Sequence, residues 1–142
     1  MSAIKPNDRP VAVTGCSGFT GGHMVRELVH HGYSVRACIR DSKSWRGQDC
    51  AAYLSGLPNV EIFDGCDLFV RGSYDQAFDG ASAVFHVAAV LGNSADGTSQ
   101  PLGAGDIAKD VYDGGLVGTQ NVINSVNSSA VSYTHLRAHE TV

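Results

Sequence analysis

Short apolar runs and amphipathic stretches alternate along this chain. "RPVAVTG" is an apolar run that ends at a glycine turn, and "GHMVRELVHHG" follows with Met24, Val25, Leu28 and Val29 on one helical face and Gly32 as a stop. The pattern predicts strand, turn, helix. "YSVRACIR" then sets Val35, Ala37 and Ile39 inward against polar neighbours, as a second strand does. "DCAAYLSGLP" carries a weak helical pattern closed by glycine and proline, and "NVEIF" is a third short strand ending near Asp64 and Gly65.

In "GSYDQAFDG", Ser73 and Gln76 stand three residues apart, the spacing of a reciprocal capping box that would open a short helix. "ASAVFHVAAVLG" is nearly all apolar, the signature of a strand buried on both faces of a parallel sheet. From about Asp106 to Ser128 the period turns helical again, with Val111, Leu116, Val117, Val122, Ile123 and Val126 as candidate core residues and Gly114, Gly115 and Gly118 weakening the first half. No internal repeat occurs. Alternation of strand and helix predicts an α/β fold, a Rossmann-type doubly wound parallel sheet, truncated after about four strands.

Composition narrows this picture without changing it. A chain of 142 residues fits one domain, and 43% hydrophobic with 17% charged residues is the balance of a soluble globular protein. A net charge of -4 argues against a partner as anionic as nucleic acid. "MSAIKPNDRP" lacks the apolar centre of a secretory signal, and no stretch approaches the ~20 apolar residues of a membrane span, so a cytoplasmic location without membrane contact is expected. The four cysteines, Cys16, Cys38, Cys50 and Cys66, form no CxxC pair and read as small buried thiols.

The chemistry sits in "VTGCSGFTGG". A strand that turns into a helix within a few residues leaves the first-turn amides of that helix at the sheet's end without partners, with a partial positive charge of roughly +0.5 that favours an anion. Here Gly15 allows the tight turn, Gly18 lets a pyrophosphate approach the backbone, and Gly21 lets the helix pack close to the strand. The spacing G-x-x-G-x-x-G is one residue longer than the standard dinucleotide fingerprint, but its context of strand, glycine turn and amphipathic helix is the one that motif requires. An ATPase-type phosphate loop is excluded, since no Gly-Lys-Ser or Gly-Lys-Thr follows and His23 stands where the lysine would be sought.

The second strand ends at "CIRDSK", where folds of this kind meet the adenosine ribose. A carboxylate there would take both ribose hydroxyls, whereas Arg40 offers a guanidinium fork to a 2'-phosphate, so NADP is favoured over NAD. Asp41 beside it offsets part of that field, and a solvated loop charge is the plain alternative for Arg40. Past the third strand, Asp67 can accept from an adenine amino group and Leu68 can cover the ring; a loop-capping Asp and a core Leu fit the same positions. His86, within "VFHVAA", reads as a packed core histidine before a catalyst.

"VTGCSGFTGGHMVRELVHHGYSVRACIRD", "VFHVAA" and "GTQNVINSV" together resemble the amino-terminal part of an extended short-chain dehydrogenase/reductase of the NAD-dependent epimerase/dehydratase superfamily, in particular the dihydroflavonol reductase and cinnamoyl-CoA reductase group, over roughly residues 10 to 128. Position by position, the resemblance implies pyrophosphate contacts at Gly15, Ser17, Gly18 and Phe19, 2'-phosphate contact at Arg40, adenine contacts at Asp67 and Leu68, and a cofactor-lining strand end at Val87, Ala88 and Ala89. It also implies hydride transfer from nicotinamide to a carbonyl, with the proton given by the Tyr of a Tyr-x-x-x-Lys pair whose lysine lowers its pKa, and a Ser or Thr holding the substrate oxygen. Here the chain departs from the group. Tyr33, Tyr53, Tyr74, Tyr112 and Tyr133 are followed four residues on by Ala37, Leu57, Phe78, Leu116 and Arg137, so no such pair is present.

The end of the chain, "SSAVSYTHLRAHETV", resembles translated linker or adaptor sequence, which divides the chain into a nucleotide-binding part, 1–129, and a non-native tail, 130–142. His135, His139 and Glu140 follow His-x-x-x-His-Glu, not the order of zinc peptidases, and no metal site is expected. "VSYT" could add a short strand by chance; without a fifth strand, "AVFHVAAV" would be an apolar edge prone to aggregation. The expected function is the NADP(H)-binding portion of a carbonyl reductase, inactive by itself. A noncatalytic nucleotide-sensing module is the alternative of a different class, and an NAD-using sugar-nucleotide epimerase, which Arg40 disfavours, is the third.

Overall fold

The computed structural model describes residues 5–6, 9–89, 112, 114–129 and 133–134. Strand β1, Val11–Val13, is buried at every position and carries three apolar residues, because it lies at the centre of a sheet covered on both faces. Helix α1, Phe19–His30, turns Met24, Val25, Leu28 and Val29 toward that sheet and stops at Gly32, whose φ of 84° suits a residue without a Cβ. Strand β2, Val35–Cys38, follows, then α2, Trp45–Ser55, and β3, Val60–Phe63. After the short α3, Asp75–Phe78, comes β4, Ala83–Phe85. A π-helical turn, Gly114–Gly118, leads into α4, Thr119–Ser128, and β5 is the two-residue strand Tyr133–Thr134.

All neighbouring strands are parallel, in the order β3-β2-β1-β4-β5. The helices lie on both faces. Val11, Val13, Val35, Ala37 and Ala83 pack with Val25 of α1 and Leu54 of α2, while Ala12, Cys38 and Val84 pack on the other face with Ala77 and Phe78 of α3 and Val122 of α4. This is a Rossmann-type doubly wound α/β fold, as the alternation of apolar runs implies. From β1 the chain moves outward through β2 and β3, then crosses back to place β4 on β1's other side, so the order reverses between β1 and β4. Beyond the carboxyl ends of those two strands lies the crevice such sheets offer to ligands.

Four local readings change. Helix α2 begins well before its weak apolar pattern, at Trp45, because the Ser44 hydroxyl accepts from the Gly47 amide at 3.1 Å and caps it. Ser73 caps no helix: α3 starts at Asp75, and the Ser73 hydroxyl instead accepts from the Asp67 amide at 3.0 Å and donates to the Asp67 carbonyl at 2.8 Å. Leu116 and Val117 are exposed, not core, because the π turn directs Gly114 and Gly118 inward, and Gly118 sits so close to Leu68 that a Cβ there would lie 3.0 Å from the Leu68 Cβ. Finally, the edge of β4 is partly covered, Ala83 pairing with Tyr133 and Val84 with Thr134. Val111, Arg137 and the group of His135, His139 and Glu140 lie outside the described residues. Among the described residues, no helix is long and apolar enough to cross a membrane.

Candidate functional site

The turn between β1 and α1 is built from three glycines under unequal constraint. Gly15 has φ 71°, a left-handed conformation, and a Cβ on it would come within 2.8 Å of the backbone nitrogen and Cα of Ala88 at the end of β4. Gly21, in the first turn of α1, lies so close to the Gly15 carbonyl that a Cβ would overlap its oxygen. Gly18 differs. Its φ is -90°, ordinary for any residue, and a Cβ would meet only the Gly15 carbonyl oxygen at 3.4 Å, normal van der Waals contact. Folding therefore demands glycine at 15 and 21 but not at 18, where the bare backbone faces outward with Ser17, Phe19 and Thr20, all exposed.

Gly18 is also the N-cap of α1 and supplies no side-chain hydrogen bond to it. Its own amide donates to the Gly15 carbonyl at 3.1 Å, while the amides of Phe19, Thr20 and Gly21 precede the first intrahelical bond, made by Gly22 to Gly18 at 3.0 Å. No acidic residue occupies this first turn. The result is an exposed array of N–H groups at the positive end of a twelve-residue helix, beside the point where strand order reverses.

Across the crevice, β4's end is tied to β1 by one hydroxyl. Thr14, fully buried, accepts from the amides of Val87 and Ala88, both at 3.0 Å, and lies 2.8 Å from Nδ1 of His86. With both lone pairs taken by N–H donors, the Thr14 hydroxyl must donate to Nδ1, which places the imidazole proton on Nε2. Burial lowers the His86 pKa and so favours the neutral ring that this bond needs. His86 is thus a hydrogen-bonded packing residue that fixes where Val87, Ala88 and Ala89 stand relative to Gly15. Position 14 carried no signal in the sequence, since the three links join it to residues more than seventy positions away.

Arg40 is exposed two residues past β2. The loop after it is closed by local bonds, the Lys43 amide to Asp41 Oδ1 at 2.9 Å and the Ser44 hydroxyl to the Asp41 carbonyl at 2.8 Å. Gly47 of α2 packs so tightly over that turn that a Cβ would overlap the Asp41 carbonyl oxygen. Trp45, with the Arg46 guanidinium 4.8 Å from its ring centre, is exposed at the start of α2. Asp67 and Leu68 lie past β3, where both plain readings are present: Asp67 Oδ1 accepts from the Phe69 amide at 2.9 Å, and Leu68 is buried in the core on the α3 and α4 side. Asn121 of α4, buried, donates to the Leu68 carbonyl at 2.8 Å and holds this loop against the sheet.

The thiols lie beneath this surface. Cys16 donates to the Val13 carbonyl at 3.0 Å, and burial pushes its pKa up to about 12, so it stays protonated and unreactive. Cys38 and Cys66 are also buried, and Cys50 donates to the Cys16 carbonyl at 3.2 Å.

The class follows from these features: a doubly wound α/β domain with a glycine turn at its switch point. The chain belongs to the NmrA-like family, whose model matches residues 7–100. Its relatives bear out the likeness to extended short-chain reductases. A bifunctional dihydroflavonol 4-reductase/flavanone 4-reductase of Pyrus communis is 44% identical over 81 residues, covering 55% of this chain and 22% of that protein. Cinnamoyl-CoA reductase CAD2 of Medicago truncatula is 32% identical over 120 residues, covering 84% of this chain and 34% of that protein.

Two solved structures share the fold. Vestitone reductase from alfalfa superposes with a TM-score of 0.60 at 23% identity, over 87% of this chain and 34% of that one. Yeast methylglyoxal/isovaleraldehyde reductase Gre2, complexed with NADPH, gives 0.70 at 17% identity, over 88% and 35%. The chain spans about a third or less of the length of these proteins.

Proposed function

We propose that this chain is the NADP(H)-binding portion of a reductase that passes hydride between nicotinamide and a carbonyl or alcohol substrate. The observation that carries the reading is Gly18. A position where folding tolerates a side chain, yet none is present, faces outward from an uncapped helix terminus at the sheet's switch point. A pyrophosphate fits that cradle, since its approach needs both the bare Cα of Gly18 and the amides of Ser17 and Phe19 on either side of it.

In this reading Gly15 and Gly21 shape the turn, and Arg40 meets a 2'-phosphate. Asp67 stands at the adenine, with Leu68 in the core beneath it, and Val87, Ala88 and Ala89 line the path toward the nicotinamide, the first two held in register by Thr14. When bound, the coenzyme supplies the hydride. The relatives named as reductases and the NADPH complex of the yeast enzyme support this assignment. Residues 1–142 contain no Tyr-x-x-x-Lys pair to protonate a carbonyl, so this stretch by itself is expected to bind coenzyme without turning over substrate. In the same reading residues 1–129 are the binding unit and 130–142 a non-native tail, of which the described residues, Tyr133–Thr134, form the edge strand β5.

The sole tryptophan, Trp45, opens the helix that follows Arg40 and serves as a reporter. Titration should quench its emission with NADPH at lower concentration than with NADH, and NADPH absorbance should stay constant on addition of an aromatic aldehyde. Tighter binding of NADH would overturn the NADP assignment in favour of an epimerase-type domain. Steady oxidation of NADPH would refute the absence of turnover.

A further inference from the structure

We infer that Asp64 is a positioning residue for coenzyme choice, bracing the short loop that presents Arg40. The inference rests on the NADP reading above. Asp64 directly follows the last residue of β3 and is exposed, yet its carboxylate engages both donors of Ser42: the Ser42 amide reaches Oδ1 at 2.8 Å and its hydroxyl reaches Oδ2 at 2.7 Å. These bonds, hydroxyl first, hold the Asp64 carboxyl below its ordinary range, so it is an anionic double acceptor at neutral pH.

On the other side of Arg40, the Ile39 amide donates to the Phe63 carbonyl at 2.8 Å. Only Arg40 and Asp41 lie between these two anchors, and both anchors are consecutive residues at the end of β3. The backbone that carries the guanidinium is therefore fixed from both flanks to the sheet. A donor already held in place loses less freedom when it closes on a phosphate than one on a loose loop. NADH lacks that phosphate, so the brace should act on NADPH alone.

Asp64 is itself an anion near the phosphate subsite, so its removal changes charge as well as geometry, and the test must separate the two. Asp64→Asn and Asp64→Ala both lose the charge, but only Asn keeps an acceptor oxygen for Ser42. Ser42→Ala keeps the charge and loses the hydroxyl bond. Dissociation constants for NADPH and NADH are measured by Trp45 fluorescence at about pH 7 on the purified full chain and the variants, with thermal melts alongside.

The expected result is NADPH binding roughly three- to tenfold weaker in Asp64→Ala than in Asp64→Asn, and weaker in Ser42→Ala than in wild type. NADH binding should change less than about twofold in each comparison. A merely structural role would lower melting temperature and move both coenzymes together. Equal NADPH affinity of the two Asp64 variants, or parallel loss for NADPH and NADH, overturns the inference while leaving NADP binding intact. A wild-type chain that binds neither coenzyme overturns both.

Discussion

Thr14 shows how much one hydroxyl can organise. It saturates both its lone pairs and its proton on three groups of β4's end, so Thr14→Val strands two amides and a ring nitrogen in a half-buried space. We expect a loss of about 1 to 3 kcal/mol in urea unfolding, largely recovered by Thr14→Ser. Burial of the His86 ring makes stability depend on pH. The folded-state pKa of His86 lies below the usual 6.5, so its contribution is full above that value and is lost as pH falls through the lower folded one. Melting temperature should thus drop as pH falls below 6.5, and His86→Asn, which keeps an acceptor but cannot titrate, should flatten that drop. An unchanged slope in the variant would assign the pH dependence elsewhere. None of this was legible from "VTGC" or "VFHV" alone, because the partners are distant in sequence; the histidine's role as a packed residue was, from the apolar run around it.

At the scale of elements, the strand, glycine turn and first helix were readable because each is dictated locally: the turn by backbone conformation, the helix by its apolar face. The approach to α4 was not. Apolar periodicity placed Leu116 and Val117 inside, but a π turn rotates them out, and the contact that matters is made by Gly118 and Asn121 on Leu68. Ser73 likewise found a better partner across its loop than along its helix. These links span 53 and 6 positions, and no spacing rule anticipates them. Asn121→Leu keeps the volume but leaves the buried Leu68 carbonyl unpaired, and should cost about 1 to 3 kcal/mol in chemical unfolding. A neutral result would mean that α4 does not hold the loop after β3.

Across the whole molecule, β5 covers the β4 edge of the parallel sheet at Ala83 and Val84. Deleting residues 130–142 removes that cover, and light scattering should then rise at lower protein concentration than for the full chain. Equal scattering would show that the added strand protects nothing. The parallel, helix-linked sheet was legible from the succession of apolar runs, whereas the pairing of a two-residue strand from the end of the chain was only a chance in "VSYT". The central claim is that exposed main-chain amides at the switch point hold a coenzyme pyrophosphate, and Gly18 separates that claim from folding. Serine is a good N-cap, so Gly18→Ser should leave stability within about 0.5 kcal/mol or raise it slightly, while its side chain fills the cradle and takes up the first-turn amides. Calorimetric titration with NADPH should therefore give saturable binding tighter than about 1 mM for wild type and at least roughly tenfold weaker binding for an equally stable Gly18→Ser. Equal heats from both proteins, or none from the wild type, would contradict it.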